Sequence, residues 1–388
     1  MFDFDRVVPR KDTDSLKYDF AVARKMPEDV LPLWVADMDF PAPPCVVDAL
    51  TEKSRHGIFG YSDTREDYFE ILACWFESRF SFTIQPEWLI KTPGVVYALC
   101  AAIRAYTRPG EAVLIQPPVY YPFSESILSN GRRLVESPLV LQNDHYEIDF
   151  EGFEQAILRN QVKLFLLCSP HNPVGRVWTK EELRRLGEIC LKHHVIVVAD
   201  EIHQDFVYPG HTHHVFSSLA PEFAQISVTL TAPTKTFNLA GLQISNIFIS
   251  NHELRNRFKA ELTASGYSQP NVMGITACKA AYEQGGPWLE ELKQYLHGNL
   301  QSIKSFLQDN LPKVRLIQPE GTYLCWLDMR DLNLPHTDVS HLVVEKAKLW
   351  LDEGTMFGTG GEGFQRINIA CPRSVLERAL TQLRDALV

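Results

Sequence analysis

No C-x-x-C pair occurs among the eight cysteines (Cys45, Cys74, Cys100, Cys168, Cys190, Cys278, Cys325, Cys371), which are scattered along the chain. That absence argues against zinc, disulfides or a redox pair. Neighbourhoods such as FLLC and EICLK suit buried, reduced thiols instead. No apolar run approaches the roughly 20 residues needed to span a bilayer. The opening MFDFDRVVPRKDTD lacks an h-region, so no signal peptide is expected and the location reads as cytoplasmic. Repeats, low-complexity tracts and obvious linkers are lacking too. Basic residues are outnumbered, 38 against 48, for a formal charge of −10, which disfavours a nucleic-acid partner. What remains is an ordinary globular composition. Apolar residues at 45% and charged residues at 22% of 388 exclude disordered and collagen-like chains and leave room for two or three domains.

The middle of the chain alternates short apolar runs with amphipathic helices, the pattern of an α/β fold with a mostly parallel sheet sandwiched by helices. Candidate strands are Ala112–Gln116, Lys163–Cys168, Val195–Ala199, Ile226–Thr231 and Asn246–Ile249. Each is nearly continuous in apolar residues, as strands covered on both faces should be. Thr179 and Glu182 form a capping box before a helix carrying Leu183, Leu186, Ile189 and Cys190. Val95–Tyr106 and His252–Ser265 also read as helices, the latter capped by Asn251. After Gly285-Gly286-Pro287 the pattern changes to a long helix from Trp288 to about Asn310. Strands follow near Val314–Ile317, Tyr323–Leu327 and Arg366–Ile369. A last helix is expected to be capped by Ser374 and Glu377, with Leu376, Leu380, Leu383 and Leu387 inward. The reading is a segment 1–45 joining a small domain, a large domain over 46–285, and a smaller α+β domain over 286–388.

Three strand ends carry unusual polar residues, and ligands of open parallel sheets bind beyond carboxyl strand ends. VIVVADEIH places Asp200 at the end of a buried strand, where an unpaired carboxylate is costly. ISVTLTAPTKTFN puts Lys235 just past another; a lysine near apolar surface has the lowered pKa that an amine nucleophile needs. LLCSPHNPVG holds Asn172 in a Pro-flanked turn. Each alone has a bland counterpart: a capping Asp, a solvated Lys, an Asn-Pro turn. Their ordered recurrence carries more weight.

With these motifs the chain resembles the fold-type I pyridoxal-phosphate (PLP) enzymes of the class I/II aminotransferase superfamily. Within it, the chain is most similar to the MalY/PatB-type cysteine-S-conjugate (cystathionine) β-lyases. The likeness runs through LPLWVADMDF (Leu31–Phe40), HGIFGY (His56–Tyr61), PGVVYAL (Pro93–Leu99), QPPVYYPF (Gln116–Phe123), CSPHNPVGR (Cys168–Arg176), ADEIH (Ala199–His203), APTKTFNLAGLQ (Ala232–Gln243) and RINIACPRS (Arg366–Ser374). It implies an aspartate-aminotransferase-like fold. It also implies that Lys235 bonds covalently to PLP and moves the substrate's Cα proton, and that Asp200 keeps the pyridine nitrogen protonated. By the same resemblance Asn172 bonds the ring's 3′ oxygen and Tyr120 stacks on the ring, with ordinary packing the alternative for this tyrosine. Gly94, Val95 and Val96 would offer helix N–H groups to the phosphate, joined by the Thr234 hydroxyl. Tyr61 would reach the phosphate from a neighbouring subunit, implying a homodimer with shared sites. Arg366 would grip the substrate α-carboxylate, with Ala36 and Asn172 beside it. His203 either approaches the 3′ oxygen or the Asp200 side, or serves as a structural histidine.

Departures from the wider superfamily matter as well. Gln243 stands where many aminotransferases carry an arginine for the phosphate, and Ala232 where many carry serine. The implied reaction is α,β-elimination on L-cystathionine or another cysteine thioether. An aminotransferase is the main alternative, and a non-catalytic partner-binding protein that keeps the fold is a third. No metal is expected: Gly210–His214 holds three histidines without zinc-type spacing and reads as a solvated loop. Trp34, Tyr323 and Trp326 are candidates for shaping the side-chain pocket.

Overall fold

The computed structural model describes residues 2–387. Seven strands build the main sheet, in the spatial order Leu89–Thr92, Ser245–Phe248, Ser227–Thr231, Ile196–Asp200, Leu164–Cys168, Ala112–Ile115 and Arg133–Glu136. Neighbours run parallel except at Ser245–Phe248, which is antiparallel to both strands beside it. Side-chain alternation explains the near-continuous apolar runs. Val113, Ile115, Leu164, Leu166 and Val198 face the helices Val95–Tyr106 and His252–Ala264. Ala112, Leu114, Phe165, Leu167, Val197 and Ala199 face the other way, onto Phe153 and the helix Lys180–Lys192. That second helix begins on the expected reciprocal Thr179–Glu182 box, and Asn251 caps His252–Ala264.

A second sheet, antiparallel throughout, has the order Arg315–Ile317, Leu324–Asp328, Phe364–Asn368, Asp352–Glu353. The helices Gly286–Asn310 and Arg373–Leu387 cover it, and Leu292, Leu296, Ile303, Leu376, Leu380 and Leu383 share one core with Leu324, Leu327 and Ile367. The N-terminal segment ties into this unit. Leu31–Pro32 pairs in parallel with Leu349–Trp350, and Leu33 O accepts from Asn368 N at 2.9 Å. Beyond Leu33 the same segment runs across to the loop carrying Lys235.

Several expectations need correction. The last helix starts at Arg373, and the N–H groups of Val375 and Leu376 turn back to Pro372 O, so Ser374 lies inside the first turn rather than capping it. Pro372 takes the cap position itself, its carbonyl accepting the first bonds of the helix. His213 does not belong to a solvated loop: it is buried, and its Nε2 meets the buried Glu201 Oε2 at 3.1 Å. Five cysteines are buried, but Cys74 is exposed and Cys45 and Cys100 are half-buried. Trp326 stacks on Phe364 in the core. Among the described residues no helix is long and apolar enough to cross a membrane.

Candidate active site

Register brings three of the strand ends level. Cys168 lies opposite Asp200, and Asp200 opposite Leu230, so the chain leaves three adjacent strands at one height, toward Asn172, His203 and Lys235. The strand Leu89–Thr92 points the same way, because two antiparallel steps restore its direction, and it delivers Gly94 and the helix Val95–Tyr106 to this edge. There a cavity of about 390 Å³ opens, walled by Ala36, Gly94–Val96, Tyr120, Cys168, Asn172, Asp200, His203, Thr234, Lys235 and Gln243. The fold thus gathers residues from six separate stretches of sequence.

Lys235 Nζ donates to the carbonyl of Ala36 at 2.9 Å, and the Tyr323 hydroxyl donates to the same oxygen at 3.0 Å. Burial lowers the amine to about 8; Arg366 adds to the drop, while Asp37 and Asp200 oppose it. Burial likewise raises the Asp200 carboxyl to about 7, against the Ile202 N–H at 3.2 Å and the Lys235 charge. Among the described residues Asp200 has no ion-pair partner, although it is 4% exposed. A buried acid of this kind fits a cationic ring N–H supplied from the cavity. His203 is held neutral by burial, and its Nδ1 has no partner among the described residues. At the far wall the helix Val95–Tyr106 presents unsatisfied N–H groups with no acidic residue in its first turn, a setting for an anion.

Arg366 is engaged on three sides. Its Nη1 donates to Asn172 Oδ1 at 3.0 Å, and its Nη2 donates to Trp34 O at 2.8 Å. Nη2 also pairs with Asp352, and both side chains of that pair are 2% exposed. Only Nε has no partner. Asn172 therefore links the guanidinium to the cavity instead of serving one ligand alone. Its own N–H rests on Cys168 Sγ at 3.4 Å. Asp352 carried no sequence signal: it faces Arg366 through antiparallel register, 14 residues upstream, outside any motif.

Of the residues read from sequence, Lys235, Asp200, Asn172, His203, Tyr120, Thr234, Ala36, Gly94, Val95 and Val96 converge on the cavity. Arg366 reaches it through Asn172. Tyr61 does not: it is 98% exposed and lines a neighbouring cleft with Phe59, Pro93 and Gln243. Trp34 turns its ring onto Trp350, centroids 4.4 Å apart, and offers the site its carbonyl instead.

The description of the class I and II aminotransferases matches residues 28–383. A cystathionine β-lyase of Bacillus subtilis, PatB, is 43% identical over 99% of both chains. Cystalysin from Treponema denticola, solved with a pyridoxal 5′-phosphate cofactor, superposes with a TM-score of 0.96 at 38% identity, over 100% of this chain and 99% of that one. A PLP-bound C–S lyase from Staphylococcus hominis gives a TM-score of 0.94 at 31% identity, over 100% and 98%.

Proposed function

The chain belongs to the aminotransferase class I and II family, and on that footing we propose that it is a PLP-dependent carbon–sulfur β-lyase. It cleaves L-cystathionine and other cysteine S-conjugates by α,β-elimination, giving a thiol, pyruvate and ammonia. Lys235 would anchor the cofactor covalently, and Asp200 would pair with its ring nitrogen. Asn172, His203 and Tyr120, on the same cavity wall, would hold the ring in place. The N–H groups at Gly94–Val96 and the Thr234 hydroxyl take the phosphate, Gln243 adding no charge. Bound there, PLP supplies the electron sink for the pair left at the substrate Cα.

The chain's own residues do the rest. Arg366 fixes the α-carboxylate through its free Nε, with Asn172 and Ala36 alongside. Lys235, its proton affinity lowered by burial, takes the Cα proton, and the bond from Cβ to sulfur breaks as the thiolate leaves. A buried amine and a buried acid without an ion-pair partner among the described residues, brought together in one cavity, are the observation that carries the cofactor reading. The full-length likeness to named lyases carries the reaction type. The working form is a cytoplasmic homodimer. Ile58, Phe59 and Tyr61 stand 68%, 60% and 98% exposed beside the site, and a second copy covering them would place Tyr61 at the partner's phosphate.

The test is to supply L-cystathionine with no keto acid and to measure pyruvate and free thiol. Equimolar pyruvate and homocysteine are expected. Amino transfer that needs an added keto acid would make the chain an aminotransferase. A purified chain without a visible cofactor band would leave it a partner-binding protein.

A further inference from the structure

Residues 34–40 cross from the strand of Arg366 to the loop of Lys235, and an asparagine holds this strap at each end. Asn238, three residues beyond Lys235, accepts from Met38 N at 2.9 Å and donates to Met38 O at 3.0 Å and Phe40 O at 2.9 Å. Asn368, two residues beyond Arg366, donates to Val35 O at 2.8 Å and Asp37 O at 2.7 Å, and accepts from Ala370 N at 2.8 Å. Trp34, just before the Asn368 clamp, and Ala36, inside it, bring the strap onto both working groups. Ala36 O receives the Lys235 amine, and Trp34 O receives Arg366 Nη2. Its outer side is fixed as well: Arg10 binds Asp37 and Asp39, and Lys17, with its side chain fully buried, binds Asp39 at 2.9 Å.

We propose that the strap is the spacer between amine and guanidinium, and that Asn238 and Asn368 are positioning residues, one for each end. Each asparagine spends both amide protons on strap carbonyls and keeps its oxygen for a backbone N–H. No residue restricted to accepting can replace it. The two clamps differ in reach: Asn238 holds only the Lys235 side of the strap, whereas Asn368, on Val35 and Asp37, brackets Ala36 and also follows Trp34. Asn238 sets the strap against Lys235, whose proton affinity depends on Asp37 of the strap, Asp200 of the main sheet and Arg366 of the second sheet. Asn368 sets the Trp34 carbonyl that orients Arg366, and hence carboxylate binding. The inference rests on the cofactor part of the reading above but not on the product formed.

The test uses holoenzyme and two readouts without turnover. One is the pH midpoint of the bound cofactor's visible band. The other is the Kd for 2-methylalanine, an amino acid with no Cα proton to lose. Asn238 has a left-handed φ of 58°, which aspartate and glycine tolerate, so N238D and N238G keep the backbone while removing the donors. Both are expected to change the proton affinity read from the midpoint by about threefold or more and the Kd by less than about twofold. N368S and N368D are expected to raise the Kd roughly tenfold and to move the midpoint as well, since Asn368 also brackets Ala36. Where one variant of a pair fails to fold, the other decides. Equal effects of both pairs on both readouts, or lower thermal stability with neither readout changed, would overturn the proposal. Wild type that binds 2-methylalanine but makes no pyruvate would sink the lyase reading and leave the strap standing.

Discussion

Lys235→Met tests the electrostatics of the site apart from its chemistry. In the chain stripped of cofactor, burial lowers the amine from its ordinary 10.5 to about 8. Such a drop is worth about 3 kcal/mol, taken as an upper figure because the cavity admits water. The sign follows from proton counting. Between pH 8 and 10.5 the unfolded chain holds a proton that the folded chain has released, so stability rises with pH across that window. Below it both states are protonated, and the folded state carries the full cost of a buried ammonium. Methionine keeps the length and apolar stem and removes the charge. The stripped variant should therefore exceed wild type by up to about 3 kcal/mol at pH 7, with the difference vanishing near pH 10.5. Urea unfolding of both chains across that range, followed by tryptophan fluorescence, measures it. A variant no more stable than wild type at pH 7, or a gain independent of pH, would refute the reasoning.

Asp352→Ala strands the Arg366 guanidinium in a setting where both partners are 2% exposed; a loss of about 3–5 kcal/mol is expected in denaturant unfolding. The same variant should raise KM for a cysteine thioether more than it lowers kcat, since Arg366 stays charged but loses its aim. Gly354→Ala places a Cβ 1.9 Å from the Gly361 carbonyl, backbone against backbone. With no flexible side chain to give way, about 3 kcal/mol or more should be lost, read as a lowered unfolding midpoint.

Which strands the sequence announces depends on where they lie in the sheet. Leu164–Cys168, Ile196–Asp200 and Ser227–Thr231 are interior, covered on both faces, and their apolar runs locate them to within a residue. Leu89–Thr92 and Arg133–Glu136 are the two edges. Their sequences, LIKT and RLVE, carry charges that an edge tolerates, and a search for continuous apolar runs passes them by. His213 fails for a related reason: a histidine-rich stretch looks solvated until folding sets it against Glu201, 12 residues upstream.

The site divides along the same line. Asp200, Asn172 and Lys235 are legible because each lies at or just past the end of an interior strand and because the three recur in order; singly, each has a bland counterpart. Arg366 is legible only through its motif, and its support is not legible at all. Asp352, the Trp34 carbonyl and the two clamping asparagines act through antiparallel register and side chain-to-backbone bonds across up to 333 residues. Such bonds leave no periodicity, because the accepting carbonyl belongs to whatever residue happens to sit there. A substitution at Trp34 or Ala36 that preserves the backbone would keep both contacts. It follows that the chemistry of the cavity is written in side-chain identity, whereas the distance between its amine and its guanidinium is written in backbone path. The second can be conserved by chains whose strap residues differ widely.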